Sequence, residues 1–265
     1  MAASLGSLNG RWALVLGASS GFGEAISLAL SKSGMNIVGV HLDRKGTLPH
    51  VEEVITKIRA SGSKALYFNV NASDPDKRTE IVQEIASQTT GIHCLVHSLA
   101  FGTLKPFVAA DARDRVSIDQ MNMTLDVMAH SLVYWTQALF EKSLLKKGAH
   151  VFAMTSSGGT RVWPTYGPVS AAKAALESHC RQLALELAPH NITVNAIRAG
   201  VTDTPALRKI PGHEQMIEMA KERNPSKRLT TPEDVAQVIA LLTHDEAAWM
   251  SGNVLGVDGG EDIVG

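Results

Sequence analysis

The sequence predicts an α/β protein: a single doubly wound domain with a seven-stranded parallel sheet and helices on both faces. Short apolar runs rich in Val, Ile and Ala recur along the chain, as expected of strands buried on both sides. Longer segments with helical periodicity separate these runs, so strands and helices alternate from end to end. The 265 residues, of which 45% are hydrophobic, are enough for one large core, and no linker divides them.

Each element is predicted from its own pattern. Helices are expected after Asp74-Pro75 and Thr231-Pro232, where a capping residue precedes a proline in the first turn. Another helix is expected from Pro168 to about residue 188, because Pro189 follows. Glycines and prolines interrupt the chain after the sixth strand, so we expect a substrate lid at about 201–225. The strands are expected at 12–16, 35–40, 65–69, 92–97, 150–154, 193–197 and 254–257.

Charge and composition exclude several classes of protein. The net charge of -1 gives no field that would attract the chain to nucleic acid or to an anionic membrane. No apolar run approaches the ~18 residues of a membrane span, and no targeting signal is visible. Cys94 and Cys180 lie in apolar stretches, which favours reduced thiols and a cytoplasmic protein. Ten histidines occur, but none has the helical spacing of a metal site, so no metal is expected.

A glycine-rich loop follows the first predicted strand directly and precedes a helical stretch from Glu24. Glycines there let backbone N–H groups and a helix N-terminus approach a pyrophosphate, which predicts a Rossmann-type dinucleotide site. After the second strand, Arg44-Lys45 suit the 2′-phosphate of NADP, whereas Asp43 leaves NAD as the alternative. The loop reads Gly17-Ala18-Ser19-Ser20-Gly21-Phe22-Gly23.

The spacing Gly-x-x-x-Gly-x-Gly resembles that of the short-chain dehydrogenase/reductase superfamily. Asn69-Val70 after the third strand and Val257-Asp258-Gly259-Gly260 near the end of the chain are similar to segments of the same superfamily. The resemblance implies cofactor contacts at Gly17, Ser19, Ser20, Gly21, Phe22, Gly23, Arg44, Asn69, Val70, Ser98, Leu99, Ala100, Lys173, Thr202 and Thr204.

The candidate catalytic pair departs from the usual pattern of that superfamily. Most members have a tyrosine four residues before the lysine, but here that residue is Val169, and Tyr166 precedes Lys173 by seven. If the helix begins at Pro168, Tyr166 lies just outside it and can lean away from the cofactor. Reduction of an α,β-unsaturated thioester places hydride on the β-carbon and negative charge on an oxygen two carbons away, so its proton donor must stand further out.

The spacing Tyr-x6-Lys resembles that of the enoyl-acyl-carrier-protein reductases, as does the segment from His97 to Phe101. This resemblance implies that Tyr166 stabilises the enolate, while Lys173 holds the nicotinamide ribose and lowers the pKa of the tyrosine. Many of these reductases have a second tyrosine where this chain has Ser156. The serine is therefore a candidate second donor to the substrate, with a local backbone cap as the alternative.

The function expected is NAD(P)H-dependent reduction of trans-2-enoyl thioesters in fatty-acid synthesis, on acyl-carrier protein or coenzyme A. Met216 and Met219 are candidates to line an acyl pocket. A carbonyl reductase or alcohol dehydrogenase of the same superfamily is the first alternative, and a non-catalytic dinucleotide-binding regulator is the second. The resemblance also implies a homotetramer that pairs the fourth and fifth helices. Basic residues that could meet an acidic carrier protein are Arg208, Lys209, Lys221, Arg223, Lys227 and Arg228.

Overall fold

All seven strands pair in one parallel sheet. The computed structural model describes residues 6–264, and its strand order is β3-β2-β1-β4-β5-β6-β7. The order reverses between β1 and β4, which opens a crevice at the carboxyl ends of these two strands. The predicted fold class is therefore confirmed. The strands are β1 (Trp12–Leu16), β2 (Asn36–His41), β3 (Ala65–Asn69), β4 (Ile92–His97), β5 (Leu145–Ser156), β6 (Thr193–Ala199) and β7 (Val254–Val257).

Eight α-helices flank the sheet in the part of the chain that the structure describes. Two predicted starts are confirmed: the Asp74 carboxylate accepts the N–H groups of Asp76 and Lys77, and Thr231 forms a reciprocal capping box with Asp234. The helices are α1 (Gly21–Lys32), α2 (Leu48–Ala60), α3 (Pro75–Gln88), α4 (Ile118–Leu125), α5 (Ser131–Glu141), α6 (Gly167–Leu187), α7 (His213–Arg223) and α8 (Pro232–Leu242).

Each face of the sheet carries its own apolar core. Trp135 of α5 and Leu176 of α6 are buried against one face, with Leu14 of β1 beneath them. Ile26 of α1 and Ile239 of α8 are buried against the other face. Burial of this apolar surface on both sides holds the strand ends in place, and the crevice is built on those ends.

The fifth strand is longer than predicted. The sequence places it at 150–154, but β5 begins at Leu145 and ends at Ser156. Ile92 of β4 pairs with Leu145, whereas Cys94 pairs with His150, so the register shifts at the start of the strand. Gly148 takes a φ of +80° within this irregular part. Its polar neighbours break the apolar run on which the prediction depends.

A π-helical turn at Asp126–His130 joins α4 to α5 in one continuous helical segment. The hydroxyl of Ser131 donates a hydrogen bond of 2.8 Å to the carbonyl of Val127 within this turn. Such turns are uncommon and often lie beside functional sites. Here the turn packs against α6, the helix that carries Lys173.

Two kinds of feature are absent from the described part of the chain. No helix within residues 6–264 combines the length and apolar character that a membrane crossing needs. Over the same residues, no group of three or more His, Cys, Asp or Glu side chains is arranged to hold a metal ion. Cys94 and Cys180 are both buried free thiols, and burial raises the pKa of each to about 12.

Candidate active site

The crevice at the carboxyl ends of the strands contains two adjoining cavities. The loop cavity, about 320 Å³, lies against the glycine loop and the ends of β2 and β3. The tyrosine cavity, about 420 Å³, lies between the end of β5, the start of α6 and the segment that contains α7. Phe22, Ser98 to Phe101 and Thr204 line both cavities. A long ligand can therefore extend from one cavity into the other.

The glycine loop brings backbone close to the loop cavity. Gly17 has a φ of +88°, and a Cβ there would overlap the carbonyl of Ser98. A Cβ on Gly23 would overlap the carbonyl of Gly17, so this glycine lets the loop pack on α1. The helix begins at Gly21, earlier than Glu24, and Ser20 gives it no side-chain cap. The N–H groups of this first turn are thus available to an anion, and the cavity fits a dinucleotide pyrophosphate.

Most of the predicted cofactor residues line the crevice, and three do not. Gly23 packs beneath the loop, Asn69 supports the loop after β2, and Arg44 is exposed on that loop outside both cavities. Thr202 and Lys173 line the tyrosine cavity alone. The predicted residues that line one or both cavities are Gly17, Ser19, Ser20, Gly21, Phe22, Val70, Ser98, Leu99, Ala100, Lys173, Thr202 and Thr204.

Asp43 is held by His41 and Asn69 in the loop after β2. Asn69 binds its backbone twice, accepting the Asp43 N–H at 2.9 Å and donating to its carbonyl at 3.0 Å. The Asp43 carboxylate lies 2.9 Å from Nδ1 of His41. Burial raises the pKa of Asp43, but hydrogen bonds from Ser19, Thr47 and His41 outweigh burial and lower it. The carboxylate is therefore ionised and already has partners within the protein.

Lys173 lies deep in the tyrosine cavity. It is buried on α6, and its Nζ donates a hydrogen bond of 2.6 Å to the carbonyl of Met154 on β5. Burial lowers the pKa of Lys173 to about 8, while the nearby Glu177 carboxylate opposes this by stabilising the charge. The ammonium is thus mostly charged at neutral pH and loses its proton in the mildly alkaline range.

Tyr166 stands at the entrance to α6, as the sequence predicts. It is the N-cap residue, directly before Gly167. Burial raises the pKa of Tyr166, and hydrogen bonding by the Ser156 side chain lowers it. The resemblance implies that Lys173 lowers this pKa, but in the structure Ser156 is the group that does so. The Lys173 ammonium instead lies beside the Met154 carbonyl.

Ser156 is the local backbone cap that the sequence offers as one alternative, and its role as a second donor to the substrate stays a prediction. It ends β5, and its hydroxyl accepts the backbone N–H of Gly158 at 3.2 Å, which makes it a local cap. The same side chain contacts Tyr166 and lines the cavity. Ser156, Tyr166 and Lys173 therefore line one cavity, in which Tyr166 pairs with Ser156 and Lys173 pairs with the Met154 carbonyl.

The wall opposite Tyr166 is largely apolar. Met216 and Met219 line the cavity, as the acyl-pocket hypothesis expects, together with Leu207 and Ile210. These residues belong to 201–225, which folds as a short turn followed by α7. The apolar wall is suited to an alkyl chain.

Sequence reasoning missed the polar rim of this cavity. Arg161, Arg223 and Glu261 line it. The Glu261 carboxylate accepts the N–H of Val201 at 3.0 Å, and burial raises the pKa of Glu261. The preceding Gly259-Gly260 turn, where both residues have positive φ, was the signal that the chain folds back onto the site.

A family model described as enoyl-(acyl carrier protein) reductase matches residues 17–261. The chain belongs to this family of short-chain dehydrogenases/reductases. It is therefore an oxidoreductase of a family that binds a nicotinamide dinucleotide. The match spans the glycine loop, both cavities and Glu261.

Curated relatives and solved structures are similar over nearly the whole chain. The 1-cyclohexenylcarbonyl-CoA reductase of Streptomyces collinus is 28% identical, with 95% of this chain and 86% of the relative covered. The 3-oxoacyl-[acyl-carrier-protein] reductase FabG of Thermotoga maritima is 27% identical over 96% of this chain and 98% of its own. The crystal structure of the enoyl-[acyl-carrier-protein] reductase (NADH) of Aquifex aeolicus superposes with a TM-score of 0.86 at 26% identity, covering 98% and 99%.

Proposed function

We propose that the protein reduces the carbon-carbon double bond of trans-2-enoyl thioesters with a nicotinamide dinucleotide, as in fatty-acid synthesis. The position of Tyr166 carries this proposal. Tyr166 is the N-cap residue of α6 and pairs with Ser156, while Lys173 lies within α6, buried and bonded to Met154. This separation suits an oxygen that lies two carbons from the site of hydride transfer.

The residues present have distinct roles in the proposed reaction. The glycine loop and Lys173 hold the dinucleotide, which supplies a hydride when bound. Tyr166 donates a hydrogen bond to the thioester oxygen and stabilises the enolate that forms when the β-carbon is reduced. Ser156 lowers the pKa of Tyr166 and so strengthens it as a donor. The apolar wall of Met216 and Met219 holds the acyl chain and excludes water.

Carbonyl reduction is the second candidate, because the similar proteins include a 3-oxoacyl reductase as well as an enoyl reductase. The contact between Ser156 and Tyr166 favours it, because the two hydroxyls together can bind one carbonyl oxygen. In that reaction the same tyrosine would have to deliver its proton directly beside the nicotinamide. The regulator alternative has no such observation in its favour.

A paired assay separates these candidates. Oxidation of reduced cofactor is followed with crotonyl thioesters, longer 2-enoyl thioesters and the matched 3-ketoacyl thioesters, each carried on coenzyme A and on acyl-carrier protein. We expect turnover of the enoyl substrates only. Turnover of the ketones instead would establish the carbonyl reductase, and binding of cofactor without any turnover would support the regulator.

We propose NADPH as the preferred cofactor, with NADH as the alternative. Asp43 is already engaged by His41, so it is poorly placed to take the ribose hydroxyls of NAD. Arg44 follows it with an exposed side chain that makes no ion pair among the described residues. Arg44→Ala should lower kcat/KM for NADPH by about 10- to 100-fold and spare NADH, since a hydrogen bond to a charged group is worth about 1.5–3 kcal/mol. An unchanged NADPH to NADH ratio would refute this assignment.

The acyl chain is carried by acyl-carrier protein or coenzyme A in this proposal, and the basic residues of the lid region bear on the choice. Three of the basic residues expected to face a carrier protein are paired locally: Arg208 with Asp203 at 2.7 Å, Lys221 with Glu218 at 2.9 Å and Arg228 with Asp234 at 2.6 Å. Exposed pairs of this kind weaken the net positive field. If Arg208 leaves Asp203 to bind an acidic carrier protein, replacement of Arg208 and Lys209 with Glu should raise KM for a carrier-bound substrate. Unchanged carrier kinetics would remove them from the interface.

We also propose that residues 201–225 act as the substrate lid of a single domain, and that α4 and α5 pair in a homotetramer. The lid residues Leu207 and Met216 line the cavity that an acyl chain would fill. Ile118, Tyr134 and Phe140 are exposed on α4 and α5, as expected of a face that packs against another subunit. Light scattering tests this arrangement, and a monomeric mass would overturn it.

A further inference from the structure

The end of β5 extends beyond one of its neighbours in the sheet. The pairing of β4 with β5 ends at Ala153, whereas the pairing of β6 with β5 continues to Ser156. Within the described residues, the sheet therefore holds residues 154–156 on the β6 side alone. The same three residues present the groups that contact Lys173 and Tyr166. Contacts from outside the sheet must fix this strand end if those groups are to stay in place.

Helix α6 supplies such contacts from one of its faces. Three of its side chains form hydrogen bonds with the strand end or with the turn that follows it. Their spacing of three and four residues places them on the same side of the helix. The three side chains are Ser170, Lys173 and Glu177.

The bond made by Glu177 is the one that the proposed mechanism does not yet use. The Thr155 hydroxyl is buried and donates a hydrogen bond of 2.7 Å to Oε1 of Glu177. Hydrogen bonds to a carboxylate are stronger than those between neutral groups. Gly159 lets the carboxylate come close, because a Cβ there would lie 3.1 Å from the same oxygen. The bond thus holds the residue directly before Ser156.

The turn after Ser156 brings Tyr166 against the serine. The Ser156 hydroxyl accepts the N–H of Gly158 at 3.2 Å. A Cβ on Gly158 would lie 2.5 Å from Cε1 of Tyr166 and 3.1 Å from Oγ of Ser156. The tyrosine ring therefore packs on Gly158, next to the serine hydroxyl. A shift of the strand end would move the serine away from the tyrosine.

We propose that Glu177 is a positioning residue: by accepting the Thr155 hydroxyl it holds the end of β5 on α6, and so keeps the Ser156 hydroxyl beside Tyr166. The inference rests on the proposed roles of Ser156 and Tyr166. It adds a residue that lines neither the loop cavity nor the tyrosine cavity.

Two substitutions remove the bond from opposite sides. Glu177→Ala removes the acceptor, and Thr155→Val removes the donor but keeps the shape of the side chain. We expect each to lower kcat for a 2-enoyl thioester by about 3- to 10-fold. KM for NADPH should stay within about twofold, because Lys173 keeps its bond to Met154. Thr155→Ser retains the hydroxyl and should recover most of kcat. An unchanged kcat in both Glu177→Ala and Thr155→Val would overturn the proposal.

A third substitution separates position from charge. Glu177 also stabilises the charge of Lys173, and Glu177→Gln removes that charge while its amide oxygen still accepts the Thr155 hydroxyl. We expect Glu177→Gln to keep most of the wild-type kcat at pH 7. If it is as slow as Glu177→Ala, the carboxylate acts through its charge and the proposal is wrong. The controls are Glu186→Ala, exposed on the same helix, and Thr243→Val, which removes a buried hydroxyl behind the opposite face of the sheet.

A double-mutant cycle tests whether the bond acts through Ser156. In the Ser156→Ala background, Glu177→Ala should lower kcat no further, because the hydroxyl that it positions is already absent. Losses of kcat that add in the double variant would overturn the proposal, since a merely structural effect would persist without the serine.

A measurement without substrate keeps this test independent of the proposed function. Carbon NMR of labelled tyrosine follows the ionisation of Tyr166, and Tyr166→Phe assigns its signal. Because Ser156 lowers the pKa of Tyr166, we expect that pKa to rise in Glu177→Ala in the same direction as in Ser156→Ala, and to stay fixed in Glu186→Ala. A wild-type pKa in Glu177→Ala would contradict the inference whatever the enzyme reduces.

Discussion

The loop cavity is built around the glycine loop, with Gly17 and Gly21 in its wall, whereas the tyrosine cavity is lined by residues from β5, α6 and α7. The first depends on the loop after β1, where Gly17 and Gly21 take positive φ angles that only glycine takes easily. The second depends on residues that the fold brings together from distant positions. A cofactor site of this kind is therefore general to a family, and the substrate site is where one member differs from another.

Removal of the tyrosine hydroxyl should have the largest effect, and the effect should be confined to the tyrosine cavity. Tyr166→Phe should lower kcat by about 10² to 10⁴, the usual contribution of a positioned acid or base. Binding of NADPH should stay close to that of the wild type, because the loop cavity does not include Tyr166. Steady-state kinetics and a fluorescence titration measure the two effects. A loss of cofactor affinity equal to the loss of kcat would mean that the two cavities are not separate.

The complementary change acts on the backbone of the loop cavity. Gly23→Ala places a Cβ against the Gly17 carbonyl, so the loop must move. We expect a cost of roughly 3 kcal/mol or more, which weakens NADPH about 100-fold. Gly46→Ala is the matched control, since no atom lies within 4 Å of a Cβ at that position. Wild-type affinity in Gly23→Ala would show that the loop tolerates the overlap and that its geometry matters less than proposed.

A smaller effect is expected at the contact between the serine and the tyrosine. Ser156→Ala removes the hydrogen bond that lowers the pKa of Tyr166 and also the acceptor for Gly158. Loss of about 1–1.5 kcal/mol predicts a kcat roughly 10-fold lower. Ser156→Thr keeps the hydroxyl and should recover most of the activity. Equal activity in the alanine and threonine variants would restrict Ser156 to local structure.

Two buried histidines should make the stability of the protein depend on pH in the acid range. His97 at the carboxyl end has a pKa of about 3, and His150 at the amino end has a pKa of about 4, both lowered first by burial. An unfolded histidine titrates near 6.5, so between about pH 4 and 6.5 the unfolded chain binds more protons than the folded protein. The free energy of unfolding should therefore be greatest above about pH 6.5, and it should decrease as the pH falls from about 6.5 to 4.

Urea unfolding at pH 7, 6 and 5 measures this decrease. Each histidine contributes a slope of up to about 1.4 kcal/mol per pH unit. His150→Asn should reduce the slope without affecting catalysis, since His150 lines neither cavity. A free energy of unfolding that is equal at the three pH values would show that both imidazoles titrate normally in the folded protein.

Features that depend on local sequence patterns could be predicted, and features that depend on long-range packing could not. The sheet, the glycine loop and the position of Tyr166 before α6 follow from local patterns, and the structure has each of them. The early start of β5 at Leu145 could not be predicted, because Lys146 and Lys147 interrupt the apolar run and only pairing with β4 reveals the strand.

The contacts that tune the site were also beyond sequence patterns. Glu261 reaches the crevice only because the chain end folds over Val201. Ser156, and not Lys173, lowers the pKa of Tyr166. This depends on side-chain positions, which residue spacing does not determine. Arg44 is separated from the loop cavity because Asp43 and Asn69 fix the loop after β2. Long-range packing decides each of these.

The most direct test of enoyl reduction is to follow the hydride itself. The enzyme is given NADPH deuterated at the transferred position, with equal amounts of a 2-enoyl thioester and the matched 3-ketoacyl thioester, and the products are analysed by mass spectrometry. The position of Tyr166 outside α6, seven residues before Lys173, predicts deuterium at the β-carbon of the saturated thioester. Deuterium found instead in the 3-hydroxyacyl product would show that the protein reduces carbonyls and would contradict the proposed function.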